Sequence, residues 1–199
     1  MATKTKGSKT RLSVPAKKPA ARKRSSPRTV KKSALKKSTR KRVPAVPARY
    51  RTVNAHLWVK NTDEALAYYA KGLGAKVVAV MRGPGGKGVM HAEMRVGDTV
   101  VMLADEWPGI HERAPASAQA TTASLYCYVP NCDTAYSRAI QAGGKEIFPL
   151  ADMFWGDRMG KFQDPFGHVW TIATHKEDPT PKEIARRQEH WFASMNRPG

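Results

Sequence analysis

The first 52 residues of this 199-residue chain contain no aspartate or glutamate, yet they hold 19 of its 35 lysines and arginines. The formal net charge of +19 belongs to this segment, and residues 53–199 are formally neutral. The segment has no aromatic residue except Tyr50, which excludes base stacking as a main mode of contact. Large apolar side chains are few there, so the segment cannot offset the entropy of ordering itself. Cysteine is scarce throughout: Cys127 and Cys132 stand outside any CxxC spacing. That excludes a disulfide framework and suits a reducing compartment, where both read as small packing residues. No apolar run reaches the ~18 residues of a membrane span. The N-terminus has no apolar core of a secretory signal either, so the expected location is the cytoplasm.

What the basic segment does contain is clusters: Arg22-Lys23-Arg24, Lys31-Lys32, Lys36-Lys37 and Arg40-Lys41-Arg42. Prolines 15, 19, 27, 44 and 47 break any long helix among them, and like charges extend the chain. The expectation is a disordered tail, residues 1–52, that holds a polyanion by counterion release without reading sequence. Nucleic acid is the natural partner, which points to association with the nucleoid. A transit peptide and an inert solvated tail are the other readings.

Beyond the tail the chain repeats itself. Val53–Val59 is β-branched and aromatic enough for a strand. Asn61-Thr62-Asp63 supplies a helix start, and Leu66, Tyr69, Ala70 and Leu73 recur on one helical face. Gly72 and Gly74 end that helix, and strands are expected near 75–81, 89–96 and 99–104. Shifted by 70 positions, Val59–Ala65 lies over Val129–Ala135 with four identities in seven, and Gly74 and Gly97 fall on Gly144 and Gly167. A fixed period means a duplicated unit, here strand–helix–strand–strand–strand over about 53–104 and again over 123–175. A lone unit leaves one sheet face uncovered, so two should pair.

His56-Leu57-Trp58-Val59, Leu73-Gly74-Ala75, His91-Ala92-Glu93, Gly97-Asp98-Thr99, Met102–Asp105, Phe154–Arg158 and Asp164–His175 together resemble the vicinal oxygen chelate superfamily. That superfamily includes glyoxalase I, bleomycin-resistance proteins and extradiol dioxygenases. Within it, residues 53–187 resemble the PhnB-like branch. The resemblance implies an α+β fold of paired βαβββ repeats in an open, curled mixed sheet, commonly a homodimer. Metal-dependent members place His, Glu or Gln at four inward strand positions, because hard donors must converge while a position stays open for the substrate. Carried onto this chain, those positions are Asn54, Met102 (Val101 if the register slips by one), Ser124 and Thr171. None is an imidazole or a carboxylate, so no metal cofactor is expected at the usual place. His91 and Glu93, with His56, are the alternative donors for a divalent metal.

Strand alternation then puts Asn54, His56 and Trp58 inward, with Ser124, Tyr126 and Tyr128 from the fifth strand and Thr171 from the last. Leu57, Leu125, Cys127, Trp170 and Ile172 face the helices as core. Trp155 and Arg158 lie on a glycine-flanked loop over this cup, where Arg158 can clamp an anion or pin the loop by an ion pair. His56 is the candidate general base. Residues 180–199 form a separate element: Thr180-Pro181-Lys182-Glu183 opens an amphipathic helix. The sequence reads as a metal-independent small-molecule binding protein whose ligand sits between the two units. The alternative is a glyoxalase-like lyase, isomerase or related enzyme lacking the usual metal ligands, with His56 as acid/base and a metal at a non-standard site.

Overall fold

A computed structural model describes residues 44–195. The basic clusters from Arg22 to Arg42, and with them the expected tail disorder and nucleic-acid contact, lie outside the described residues. The unit that carries the fold spans Val43–Gly199, so it begins ahead of the charge break after residue 52.

The first repeat comprises β1 (His56–Val59), α1 (Thr62–Leu73), β2 (Lys76–Arg82), β3 (Val89–Val96) and β4 (Thr99–Asp105). A short helix, α2 (Pro115–Ala118), lies in the connection. The second repeat comprises β5 (Ser124–Tyr128), α3 (Cys132–Gln141), β6 (Lys145–Asp152), β7 (Asp157–Gln163) and β8 (Val169–His175), and α4 (Pro181–Met195) follows. Each repeat folds into its own four-stranded sheet, in the orders β1-β4-β3-β2 and β5-β8-β7-β6. The β1–β4 and β5–β8 pairs are parallel and the others antiparallel. β1 starts at His56 rather than Val53, because Asn54 folds back on the preceding turn and exchanges bonds with the backbone of Arg51.

The duplication is visible in the helix starts. Asn61 and Asn131 adopt the same backbone conformation (φ −145°, ψ 99° and φ −143°, ψ 98°). Their side chains accept from the amides of Glu64 and Thr134. Such a cap contributes about 1 kcal/mol. The first helical amide is served from the last strand of each unit: Thr62 N donates to Asp105 Oδ1 at 2.6 Å, and Cys132 N to Thr174 Oγ1 at 2.8 Å. Gly74 closes α1 in the left-handed conformation, at φ 67°.

One core serves both sheets. Leu57, Val59, Met94 and Leu103 meet Phe162, Trp170 and Ile172 around Tyr69 of α1 and Ala139 of α3. α1 and α3 pack closely because Gly72 lacks a Cβ, which would stand 3.3 Å from that of Ala142. A buried carboxylate bolts the units together here. Asp164, at the Pro165-Phe166-Gly167 corner, accepts from the amides of Phe166 and His168, from Trp170 Nε1 (2.9 Å) and from Tyr69 Oη (2.6 Å). Burial first, and then the nearby Asp164 charge, hold the Tyr69 phenol well above its usual range.

Because the helices join the units, the opposite face of each sheet is left over. Where the two faces approach, His168 Nε2 lies 3.1 Å from Trp58 O. The residues expected to line a cup between the units stand on these two faces, which meet at a seam where β1 approaches β5. α4 covers part of the second face. Its Trp191 packs near Met153, Met159 and Ala173, with its ring 5.7 Å from Phe154. Thr180 Oγ1 caps α4 by accepting from Glu183 N at 3.3 Å, while the Glu183 carboxylate turns to Arg186 and Arg187.

Candidate functional site

Alternation along β7 decides the chemistry of the second face. Phe162 and Gly160 point toward α3, and so does Arg158, whereas Asp157, Met159 and Lys161 point the other way. Asp157 is 3% exposed and receives four donors. Tyr126 Oη (3.1 Å), Tyr128 Oη (2.8 Å) and Trp155 Nε1 (3.0 Å) donate to Oδ2, and His175 Nδ1 stands 2.8 Å from Oδ1. Burial pushes the Asp157 carboxyl up, but the bonds from His175, Tyr128, Trp155 and Tyr126 outweigh it, and the net shift is downward. His175 also faces Asp178 at 3.0 Å, so both ring nitrogens meet a carboxylate. The bonds to Asp157 and then Asp178 raise the imidazole's pKa and favour its charged form.

These bonds hold aromatic side chains by their polar tips while their bodies stay accessible. Tyr126 is 46% and Tyr128 61% exposed, with ring centroids 5.1 Å apart. Burial and the Asp157 bond raise Tyr126, and the Asp157 bond with burial raises Tyr128, so both remain protonated donors rather than bases. Beside them lies a cavity of about 400 Å³, lined by Leu73, Val96, Val101, Leu125, Cys127 and Trp170 and edged by Asp98. Cys127 is a poor nucleophile, since burial and the Asp98 charge push its thiol up.

On the first face one row runs across the sheet from His56 through Met102 to Glu93. The His56 ring lies 4.9 Å from Trp58 and 6.1 Å from His91. Burial, and then the neighbouring His91, lower its pKa and favour the neutral imidazole. Glu93 is covered by residues from ahead of β1. Arg49 Nη2 (2.9 Å) and Tyr50 Oη both donate to its Oε1, and His91 Nε2 lies 3.4 Å from the same atom. Its Oε2 is buried without a partner. Burial raises the Glu93 carboxyl, but the bonds from Tyr50, His91 and Arg49 bring it below the usual value.

The structure groups some of the expected residues and separates others. His56, Trp58 and Ser124 line one cleft of about 460 Å³ at the seam, with Arg113 and His168. Tyr126, Tyr128 and Trp155 converge on Asp157. Met102 lies beside His56, and Val101 goes to the core, which settles the register. Thr171 is buried between Tyr126 and Lys161. Asn54 is engaged with Arg51 and does not join the row. Of the two readings of Arg158 the structure shows the ion pair: its guanidinium binds Asp133 at 2.7 Å and Asp152 at 3.4 Å on the helix side, pinning β7 to α3. The reading missed Arg49, Tyr50 and the central role of Asp157. Parity along β7, counted from Phe162, is the signal that finds Asp157 and expels Arg158.

The model of the Glyoxalase/Bleomycin resistance protein/Dioxygenase superfamily matches residues 51–172. The chain belongs to that superfamily. An uncharacterised protein of Mycobacterium bovis is 33% identical over 135 residues, covering 66% of this chain and 88% of the relative. The crystal structure of a Pseudomonas aeruginosa protein matches with a TM-score of 0.51 at 24% identity, covering 63% of this chain and 98% of that one. A PhnB protein from Bacillus cereus matches at 0.50 and 18% identity, covering 62% and 99%. These likenesses share the fold.

Metal chemistry in this superfamily needs converging hard donors, and the residues here do not fit it. An amide engaged with its own backbone (Asn54), a thioether (Met102) and two hydroxyls (Ser124, Thr171) stand at the expected positions. Of the alternative donors, His91 lies 3.4 Å from Glu93 Oε1, but Arg49 and Tyr50 already occupy that oxygen and the His56 ring stands 6.1 Å from that of His91. Among the described residues no three His, Cys, Asp or Glu side chains converge to hold a metal ion.

Proposed function

We propose that this superfamily member is a metal-independent small-molecule binding protein that holds its ligand on the open face of the second sheet, where β5 meets the seam. The observation that carries this reading is the set of aromatic side chains fixed by their tips on the buried Asp157. Exposed rings that cannot turn lose little entropy when a ligand covers them. Tyr126 and Tyr128 offer apolar stacking area, and the neutral His56 and Ser124 line the neighbouring cleft. Since each face is open in one chain, a second copy that closes the cleft in a homodimer belongs to the same proposal. So do action in the cytoplasm, where two free cysteines are at home, and non-specific contact of the basic tail with nucleic acid.

Ligand-observed NMR of the full-length, chelator-treated protein against a set of small aromatic compounds tests the proposal. Saturable binding, weakened in a Tyr126→Ala/Tyr128→Ala variant, is the expected result. Binding that appears only after a divalent cation is added would instead favour the second reading, a lyase-type enzyme with the neutral His56 as acid/base. The lowered pKa of His56 on an accessible face is what supports that alternative.

A further inference from the structure

The segment ahead of β1 makes a tight turn, with Tyr50 N donating to Pro47 O at 2.9 Å, and lays two side chains over the first sheet. The Arg49 guanidinium sits 4.9 Å from the Tyr50 ring centroid and donates to Tyr50 Oη at 3.2 Å. It reaches Glu93 with a single nitrogen, to Oε1. Arg49 itself is largely in solvent, its side chain 57% exposed, whereas that of Glu93 is 4% exposed. The carboxylate is therefore a fixed part of the sheet, and its occupant is loosely held.

A carboxylate matches a planar guanidinium or amidinium best when both oxygens receive parallel N–H donors. Here Arg49, Tyr50 and His91 all crowd one oxygen, and the buried Oε2 receives nothing. A buried polar atom without a partner is destabilising, so the site is incompletely served by its own chain. Around it stand the rings of Tyr50, His91, His56 and, beyond them, Trp58. Aromatic faces beside a carboxylate are what a flat cation selects.

We infer that Glu93 anchors a recognition site for a guanidinium or amidinium group, and that Arg49 is a tethered surrogate which such a ligand displaces. Arg49 uses one donor where a free ligand can use two, and the ligand's own flat body stacks on the histidine and tryptophan rings. Because Arg49 is attached, it competes at an effective concentration in the millimolar range, so a ligand must outbid it. This inference rests on reading the open faces as ligand surfaces. It concerns the first sheet, so its failure and that of the Tyr126/Tyr128 proposal are read from different variants.

The test is calorimetric titration of the full-length protein with benzamidine, using benzyl alcohol as the uncharged comparison. Arg49→Ala should bind benzamidine about tenfold more tightly than wild type, and Arg49→Ala/Glu93→Gln should lose that gain. Benzyl alcohol should bind no variant better than another. Equal benzamidine affinity in wild type and Arg49→Ala would overturn the inference, as would a gain that survives Glu93→Gln. Arg49 is exposed, so its variant reports without risk to folding. Its thermal melt should stay within a few degrees of wild type.

Discussion

Two buried carboxylates occupy the open faces of the two sheets, and the molecule treats them differently. Asp157 has donors on both oxygens, all from the second repeat: Tyr126, Tyr128, Trp155 and His175. Glu93 has its donors on one oxygen, and two of them come from a segment outside the repeat. The first carboxylate is completed by its own sheet and therefore orders the surface around it. The second is completed only in part, by groups that can leave. A buried charge is tolerated when its partners are in place. The difference between the faces is who supplies the partners.

Removing the carboxylates should make that difference measurable. Asp157→Ala strands the four donors of Tyr126, Tyr128, Trp155 and His175 at once and should cost about 3 kcal/mol in unfolding free energy by urea denaturation. Tyr128→Phe removes one of those donors and should cost about 1 kcal/mol. Glu93→Gln keeps the shape and leaves donors that can turn to water, so its cost should stay below about 0.5 kcal/mol. Equal losses for Asp157→Ala and Glu93→Gln would erase the contrast.

The smallest effect lies in pH. The folded pKa of His175 is raised, so its contribution to stability is full below its unfolded value of about 6.5 and fades as pH rises through the raised folded value. Asp157 acts in the opposite sense. Its folded pKa is lowered, so its contribution is present above the ordinary aspartate range and fades as pH falls through the lowered folded value. A His175→Asn variant should therefore differ from wild type most between those limits and converge on it in alkali. A gap that widens with rising pH would contradict the charged pair.

Much of the architecture was legible in the residues, because the signals were local and written twice. Asn61 and Asn131, Gly74 and the alternation of Leu57 and Val59 with His56 and Trp58 each state a cap, a stop or a face. The family resemblance reached the same fold from motifs. The site was less legible because its hubs join residues far apart in the chain. Asp157 draws on Tyr126, Trp155 and His175, and Glu93 is covered by Arg49 across 44 positions. Net charge placed Arg49 and Tyr50 with the tail, yet the side-chain bonds of both belong to the sheet. The ion pair of Arg158 was legible but its place was not: its neighbourhood in sequence suggested a loop, whereas β7 already begins at Asp157.

Metal independence is the part of the proposed function on which the rest turns. Calorimetric titration of Zn²⁺, Ni²⁺, Mn²⁺ and Fe²⁺ into exhaustively chelated protein tests it most directly. The account predicts no stoichiometric binding. Tight one-to-one binding that disappears in His56→Ala would contradict it, and would make His56, His91 and Glu93 the place to look for catalysis.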